Sequence, residues 1–322
     1  MYSFTWLRWD AQPTTLRASM RGPLFLSGPS TFAAAGLVSL LAGCAAGPVD
    51  PAGPTDAELT ATASPNATAI VVVEGVTAGE SASDGAHTDV VARFLRARSG
   101  VVDDDARRMV GATVDFPAIG GCGALSTPRA PAARAISLVD VGGVTLSAGE
   151  SVESGTALQR RQLPDVADLI SGVVYSATAR DGALPSKGSY LLRVEGSADG
   201  EVTPFSITAS SPGEPLNVRL EGDDGHAGAI TLPLDASVEL TWDAGAGDDL
   251  IYVDVGAISA APVARCLFVD SGEAKLGTAA FGPLEDGTVT VHRMHRESFH
   301  AHGVDPGEVR FDFARVVPFS RR

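Results

Sequence analysis

From Ile136 to the end of the chain the hydrophobic pattern repeats every two residues. Val238, Leu240 and Trp242 alternate with Glu239, Thr241 and Asp243, and Ile251, Val253 and Val255 follow after a turn at 245–249. Tyr190, Leu192 and Val194 face away from Leu191, Arg193 and Glu195; Phe205, Ile207 and Ala209 alternate with Ser206, Thr208 and Ser210. Val218 and Leu220, and then Val309, Phe311 and Phe313, repeat the same pattern. Successive strand side chains point to opposite faces, so this spacing specifies strands with one buried face, the signature of antiparallel sheets. Asp181-Gly182, Asp199-Gly200, Asp223-Asp224-Gly225 and Asp286-Gly287 supply turns between them. Roughly ten to twelve strands at this spacing predict a mainly β protein, an antiparallel sandwich over 136–319. Two smaller sandwiches split near 212–215 (Pro-Gly-Glu-Pro) are the alternative.

The earlier chain is read differently. Residues 69–118 suggest a small α/β region or αα-hairpin. In it "AIVVVEG" forms a strand, and Val91, Phe94 and Leu95 at i, i+3, i+4 predict a helix from Thr88 to Gly100. A second helix is expected from Asp103–Asp105 to Gly111. The Gly/Pro/Ala-rich stretch 119–135 reads as a linker, and 45–68 as a flexible tether.

The first 43 residues are of another kind. Arg8, Arg17 and Arg21 precede an apolar run from Phe32 to Leu41. That run is about ten residues, against the ~20 a membrane-spanning helix needs, and it fits a secretory signal. Met20 is an alternative start. The run ends in Leu41-Ala42-Gly43-Cys44, which resembles the lipobox of bacterial lipoproteins at all four positions. The resemblance implies cleavage before Cys44 and acylation of it, with the lipid bilayer as partner. Each buried CH₂ contributes roughly 0.8 kcal/mol, and more than one chain anchors stably. Ala45 and Ala46, with no Asp directly after Cys44, point by the same resemblance to the outer membrane. Removing residues 1–43 takes away three Arg and one Asp, so the formal charge moves from −15 to −17. That argues against nucleic acid as a partner.

With Cys44 lipidated, Cys122 and Cys266 remain. In an oxidising compartment they are expected to pair, closing a loop that contributes on the order of 4–5 kcal/mol in the chain-entropy model; two buried free thiols are the alternative. The segment "VELTWDAGAGDDLIYVDV" around Trp242 resembles immunoglobulin-like and fibronectin-like modules of bacterial exoproteins. That resemblance implies a core role for Trp242 and no activity.

Chemistry-bearing groups concentrate in "HRMHRESFHAH", which holds His292, His295, His300 and His302. These are candidate metal ligands, with Glu297 or Asp305 adding oxygen, in a polar hairpin loop between strands at about 287–296 and 307–317; a pH-responsive loop is a further reading. The acidic turns 221–228, 245–250 and 102–106 lack the order of a calcium loop. No nucleophile elbow, P-loop or dinucleotide fingerprint occurs. The expectation is a non-catalytic envelope lipoprotein without a cofactor, serving binding, adhesion or scaffolding toward a protein or polysaccharide. A metal-dependent hydrolase using His292–His302 is the alternative.

Overall fold

A computed structural model describes residues 66–78, 87–98, 100–125, 135–149, 155–166, 169–180, 184–226, 228–245 and 249–322. The signal segment, Cys44 and most of the tether lie outside them.

One large sheet runs through the molecule. Its centre is a long hairpin, β17 (Asp286–Ala301) and β18 (Val304–Arg321), turning at His302-Gly303. On one side β17 pairs with β14 (Leu250–Gly256), then β15 (Pro262–Val269), then the edge strand β3 (Cys122–Ala124). On the other, β18 pairs in parallel with β1 (Ala67–Ala78), followed by β2 (His87–Ala97), β4 (Ile136–Leu138), β8 (Ile170–Arg180) and β7 (Gln159–Val166). A short strand β12 (Ile230–Leu232) joins the far end of β18 in parallel. Most pairs are antiparallel; β1–β18, β4–β8 and β12–β18 are the parallel ones.

Two small sheets cover the same face of this large one. The first, β10 (Phe205–Ser211), β9 (Gly188–Val194), β5 (Val144–Ala148) and β6 (Thr156–Ala157), packs on β1, β2, β8 and the first half of β18. Leu146, Tyr190 and Leu192 meet Val71, Phe94, Tyr175 and Phe311 there. The second, β11 (Arg219–Leu220), β13 (Val238–Thr241) and β16 (Glu273–Leu276), packs on β14, β15, the start of β17 and the end of β18. Leu240 and Trp242 meet Val253, Val291 and Phe319 in that core, with Phe281 from the four-residue helix α2 (Thr278–Phe281). The molecule is therefore a β-sandwich with two cores under one continuous sheet. The cores change over where the chain passes Gly213-Glu214, while β17 and β18 cross both.

Three expectations are corrected. The helix placed over 88–100 is strand β2. Phe94 and Leu95 are adjacent and both fully buried, because β2 is covered on both faces, by the first small sheet and by the segment around α1 (Asp104–Met109). Two-sided burial erases the alternation and leaves an i, i+3, i+4 coincidence. Among the described residues the sandwich thus begins at Ala67 rather than 136, and the strands β1 and β2 of the 69–118 segment belong to its large sheet. The 119–135 linker contributes a strand, β3. And residues 297–301, expected in a loop, are paired strand as far as the tip. The short helix after Asp103 is present, its N-terminus capped by Asp103 accepting from the Ala106 N–H at 2.9 Å.

Repeated cross-strand pairs set the texture of the sheet. Gly75 lies opposite Phe313, Gly287 opposite Phe319, and Gly307 opposite Phe299. In each, the ring lies over the glycine: a Cβ there would come within 2.5, 2.9 and 2.4 Å of a ring carbon. The missing side chain is the space the ring occupies.

Candidate functional site

Alternation along β17 sends its histidine segment to two different surfaces. Even-numbered residues face the outer side of the large sheet, away from both cores; odd-numbered residues face the junction between the two small sheets.

On the outer side, His292 joins a buried ionic network contributed by four adjacent strands. Its Nδ1 donates to Asp312 Oδ1 at 2.9 Å, and its ring stacks on Tyr252 with centroids 4.1 Å apart. The Tyr252 hydroxyl donates to the other Asp312 oxygen. Beside them Arg265 grips Asp254 with two hydrogen bonds of 2.7 Å, and its guanidinium lies 4.8 Å from the Tyr252 ring centroid. The Arg265 fork also reaches the Asp115 carbonyl at 3.3 Å, and Phe116 packs edge-on against Tyr252. The side chains of Asp254 and Arg265 are only 2% and 5% exposed. Nε2 of His292 is buried without a hydrogen-bond partner, 4.0 Å from Asp254 Oδ2.

Electrostatics follow from that packing. Burial pushes the Asp254 carboxyl up, but the hydrogen bonds and charge of Arg265 outweigh it and hold it down at about 2. Arg265 answers in kind: burial works against its charge, and Asp254 holds its pKa above the ordinary value. Tyr252 is raised well above 10, first by burial and then by the Asp312 and Asp254 charges. Farther along this face, burial lowers Arg93 to about 10. Chemically the network is a closed brace, its polar atoms largely occupied by one another.

At the junction, Arg293 is the organising group. It donates to Asp270 through Nε (2.7 Å), and to the carbonyls of Gly213 (3.2 Å), Glu214 (3.0 Å) and Asp243 (2.5 Å). Asp270 also accepts the Trp242 indole N–H at 2.6 Å and the Gly245 N–H at 3.0 Å. This one arginine ties the crossover between cores to the turn after β13. Trp242 is buried in the second core, the role implied for it. His295, half-buried, meets Asp249 at 2.7 Å and Glu297 at 3.5 Å. His300 and His302 are exposed at the hairpin tip, where His300 contacts Asp305 at 2.8 Å.

The four histidines thus occupy three separate environments and do not converge. Among the described residues no group of three or more His, Cys, Asp or Glu side chains is placed to hold a metal. In the 221–228 turn, Asp223 and Asp224 accept backbone N–H groups of Gly225 and His226, each at 3.0 Å. Cys122 and Cys266 form a disulfide, cross-strand between β3 and β15. Sequence reading missed Asp254, Arg265, Tyr252, Asp312, Asp270 and Arg293. Their one visible signal was a charge inside an apolar strand, as in "LIYVDVG" and "VTVHRM".

No protein-family model matches this chain, and no curated protein matches it. Among solved structures, the chain is similar to the FN1–FN3 domains of chicken CNTN1. That match has 12% identity, covers 80% of this chain and 69% of that one, and has a TM-score of 0.22. It is also similar to the mu-homology domain of yeast delta-COP-I, at 9% identity over 80% of this chain and 98% of that one, with a TM-score of 0.20. Likenesses this distant carry no argument; the sandwich assignment rests on the strand pairing and the two cores. Among the described residues no helix is long and apolar enough to cross a membrane.

Proposed function

We propose that this chain is a non-catalytic lipoprotein of a bacterial cell envelope. Acyl chains on Cys44 hold it at the membrane, the outer membrane being the expected site. The tether between Cys44 and the start of β1 at Ala67 presents the double sandwich for binding, adhesion or scaffolding toward a protein or polysaccharide. The observation that carries this reading is Leu41-Ala42-Gly43-Cys44 at the end of a short apolar run, followed at once by small residues and Pro. The body supports the non-catalytic part. Its buried ionisable groups are engaged with one another as braces between strands, and its histidines are dispersed.

Metabolic labelling with a radioactive fatty acid and membrane fractionation test the reading together. The wild-type chain is expected to take up label, lose its first 43 residues and sediment with outer-membrane fractions. Cys44→Ser is expected to lose the label and shift to the soluble fraction. A Cys44→Ser chain that stays with the membrane overturns the anchor.

A further inference from the structure

The segment that closes the β15 edge is attached in an unusual way. Residues 120–124 read Gly-Gly-Cys-Gly-Ala. Their main chain pairs with β15: Gly120 N–H to the Leu267 carbonyl at 2.7 Å, Leu267 N–H to Gly121 at 3.0 Å, and Leu125 N–H to Val263 at 2.8 Å. Side chains add little. Cys122 and Ala124 are exposed, Ile119 is 61% exposed, and only Leu125 is half-buried. Glycine loses more conformational entropy than other residues on entering a strand. Burial does not hold this segment down; backbone pairing and the Cys122–Cys266 bond do.

Its N-terminal base, by contrast, is fixed. Phe116 packs on Tyr252 and beneath Arg265, and the Asp115 carbonyl accepts from Arg265. Between base and latch, Gly120 has φ +81°, with nothing within 4 Å of an added Cβ. The segment therefore has an anchored base, a glycine hinge and a single covalent latch. Beneath it, β15 offers a long apolar strand, Pro-Val-Ala-Arg-Cys-Leu-Phe-Val, of the kind that pairs with any complementary strand once bared.

We propose that residues 119–125 form an exchangeable strap, and that a second copy of this chain is the partner. The strap of each copy pairs with β15 of the other, joined by Cys122 of one chain and Cys266 of its partner. The complementarity needed is already present within one chain, which is what makes exchange of an identical element inexpensive. Two bodies facing β15 to β15 put each strap within one or two inter-strand spacings, ~5–10 Å, of the partner's edge. The exchange needs a small thiol and no net oxidant. A thiolate attacks the sulfur of Cys122, the exposed residue of the pair, forming a mixed disulfide and releasing Cys266 as thiolate. Cys266 of the partner, freed as thiolate by the same attack on the partner's own bond, then attacks this Cys122 sulfur and expels the small thiol unchanged. This goes beyond the membrane anchor and does not depend on it.

The test uses the full chain with Cys44→Ser, so that Cys44 forms no crosslink. Equal amounts of ¹⁴N- and ¹⁵N-labelled protein are incubated in a glutathione redox buffer, quenched with acid and digested without reduction. A disulfide-linked dimer is expected, containing peptides in which ¹⁴N Cys122 is bonded to ¹⁵N Cys266 and the reverse. Cys122→Ser, with its fold checked by circular dichroism, is expected to lose these species. Linked peptides of a single isotope only, despite a glutathione adduct on Cys122 during incubation, overturn the proposal. So does a bond that takes up no glutathione, or a dimer linked only through Cys266 to Cys266.

Discussion

Asp254 is an ion in a place where ions are expensive. Its side chain is 2% exposed, and the two Arg265 hydrogen bonds make its charged form the stable one. Arg265 holds this carboxyl at about 2, against 3.8 for an ordinary aspartate. The native state binds the proton more weakly than the unfolded chain, so this contribution is present above pH ~4 and is lost as pH falls toward 2. It amounts to about 2 kcal/mol. Asp254→Asn is expected to be less stable at pH 7 and to show a flatter stability profile between pH 4 and 2 in urea titrations. A wild-type profile with the same slope as the variant refutes the assignment. Partner removal is asymmetric. Arg265→Met removes the two hydrogen bonds that hold this buried carboxylate and is expected to cost ~3–5 kcal/mol, whereas replacing both members with apolar residues costs less. None of this was legible beforehand. Alternation in the sequence separates the two faces of a strand but does not say that both are covered, so Asp254 falls on the face expected to meet solvent, and His292 reads as a candidate metal ligand.

At the scale of elements, the glycine–phenylalanine pairs explain how a sheet with so many glycines stays ordered. Phe313 spans the place a Gly75 side chain would fill, so the ring's burial substitutes for the glycine's missing contacts. Gly75→Ala puts a methyl 2.5 Å from a Phe313 ring carbon and is expected to destabilise by ~1–3 kcal/mol, as overpacking does. Combined with Phe313→Leu, the penalty for the added methyl is expected to shrink in a double-mutant cycle read by chemical denaturation. Additive penalties count against the pairing. Strands β9, β10 and β13 were legible because one face is wet and the two-residue period survives. β2 was not, since burial on both faces removed the period, and β3 was not, because a strand of glycine and alanine has the composition of a linker. The histidine segment was readable as strand for its first residues only. Its later part is held by pairing with β18, which local composition does not encode.

The whole molecule raises a question of cooperativity that its two cores make testable. Each core has its own small covering sheet, and the chain changes from one to the other near Gly213, where the alternative of two small sandwiches placed its division. What the sequence pattern does not carry is the long-range pairing that fuses them: Val71 lies beside Val309, and Val253 beside Val291. The same strand, β18, places Val309, Phe311 and Phe313 in the first core and Val317 and Phe319 in the second. Arg293 bonds residues of both sides at the junction, so neither core can lose its sheet without pulling on strands and carbonyls that serve the other. Unfolding is therefore expected to be a single transition. Leu192→Ala in the first core and Leu240→Ala in the second each remove a side chain that is 1% or less exposed, at an expected ~2–5 kcal/mol. In both variants, hydrogen exchange near the denaturation midpoint is expected to release the amides of β9 and β13 together. If Leu192→Ala frees β9 while β13 keeps its protection, the shared sheet does not couple the two cores.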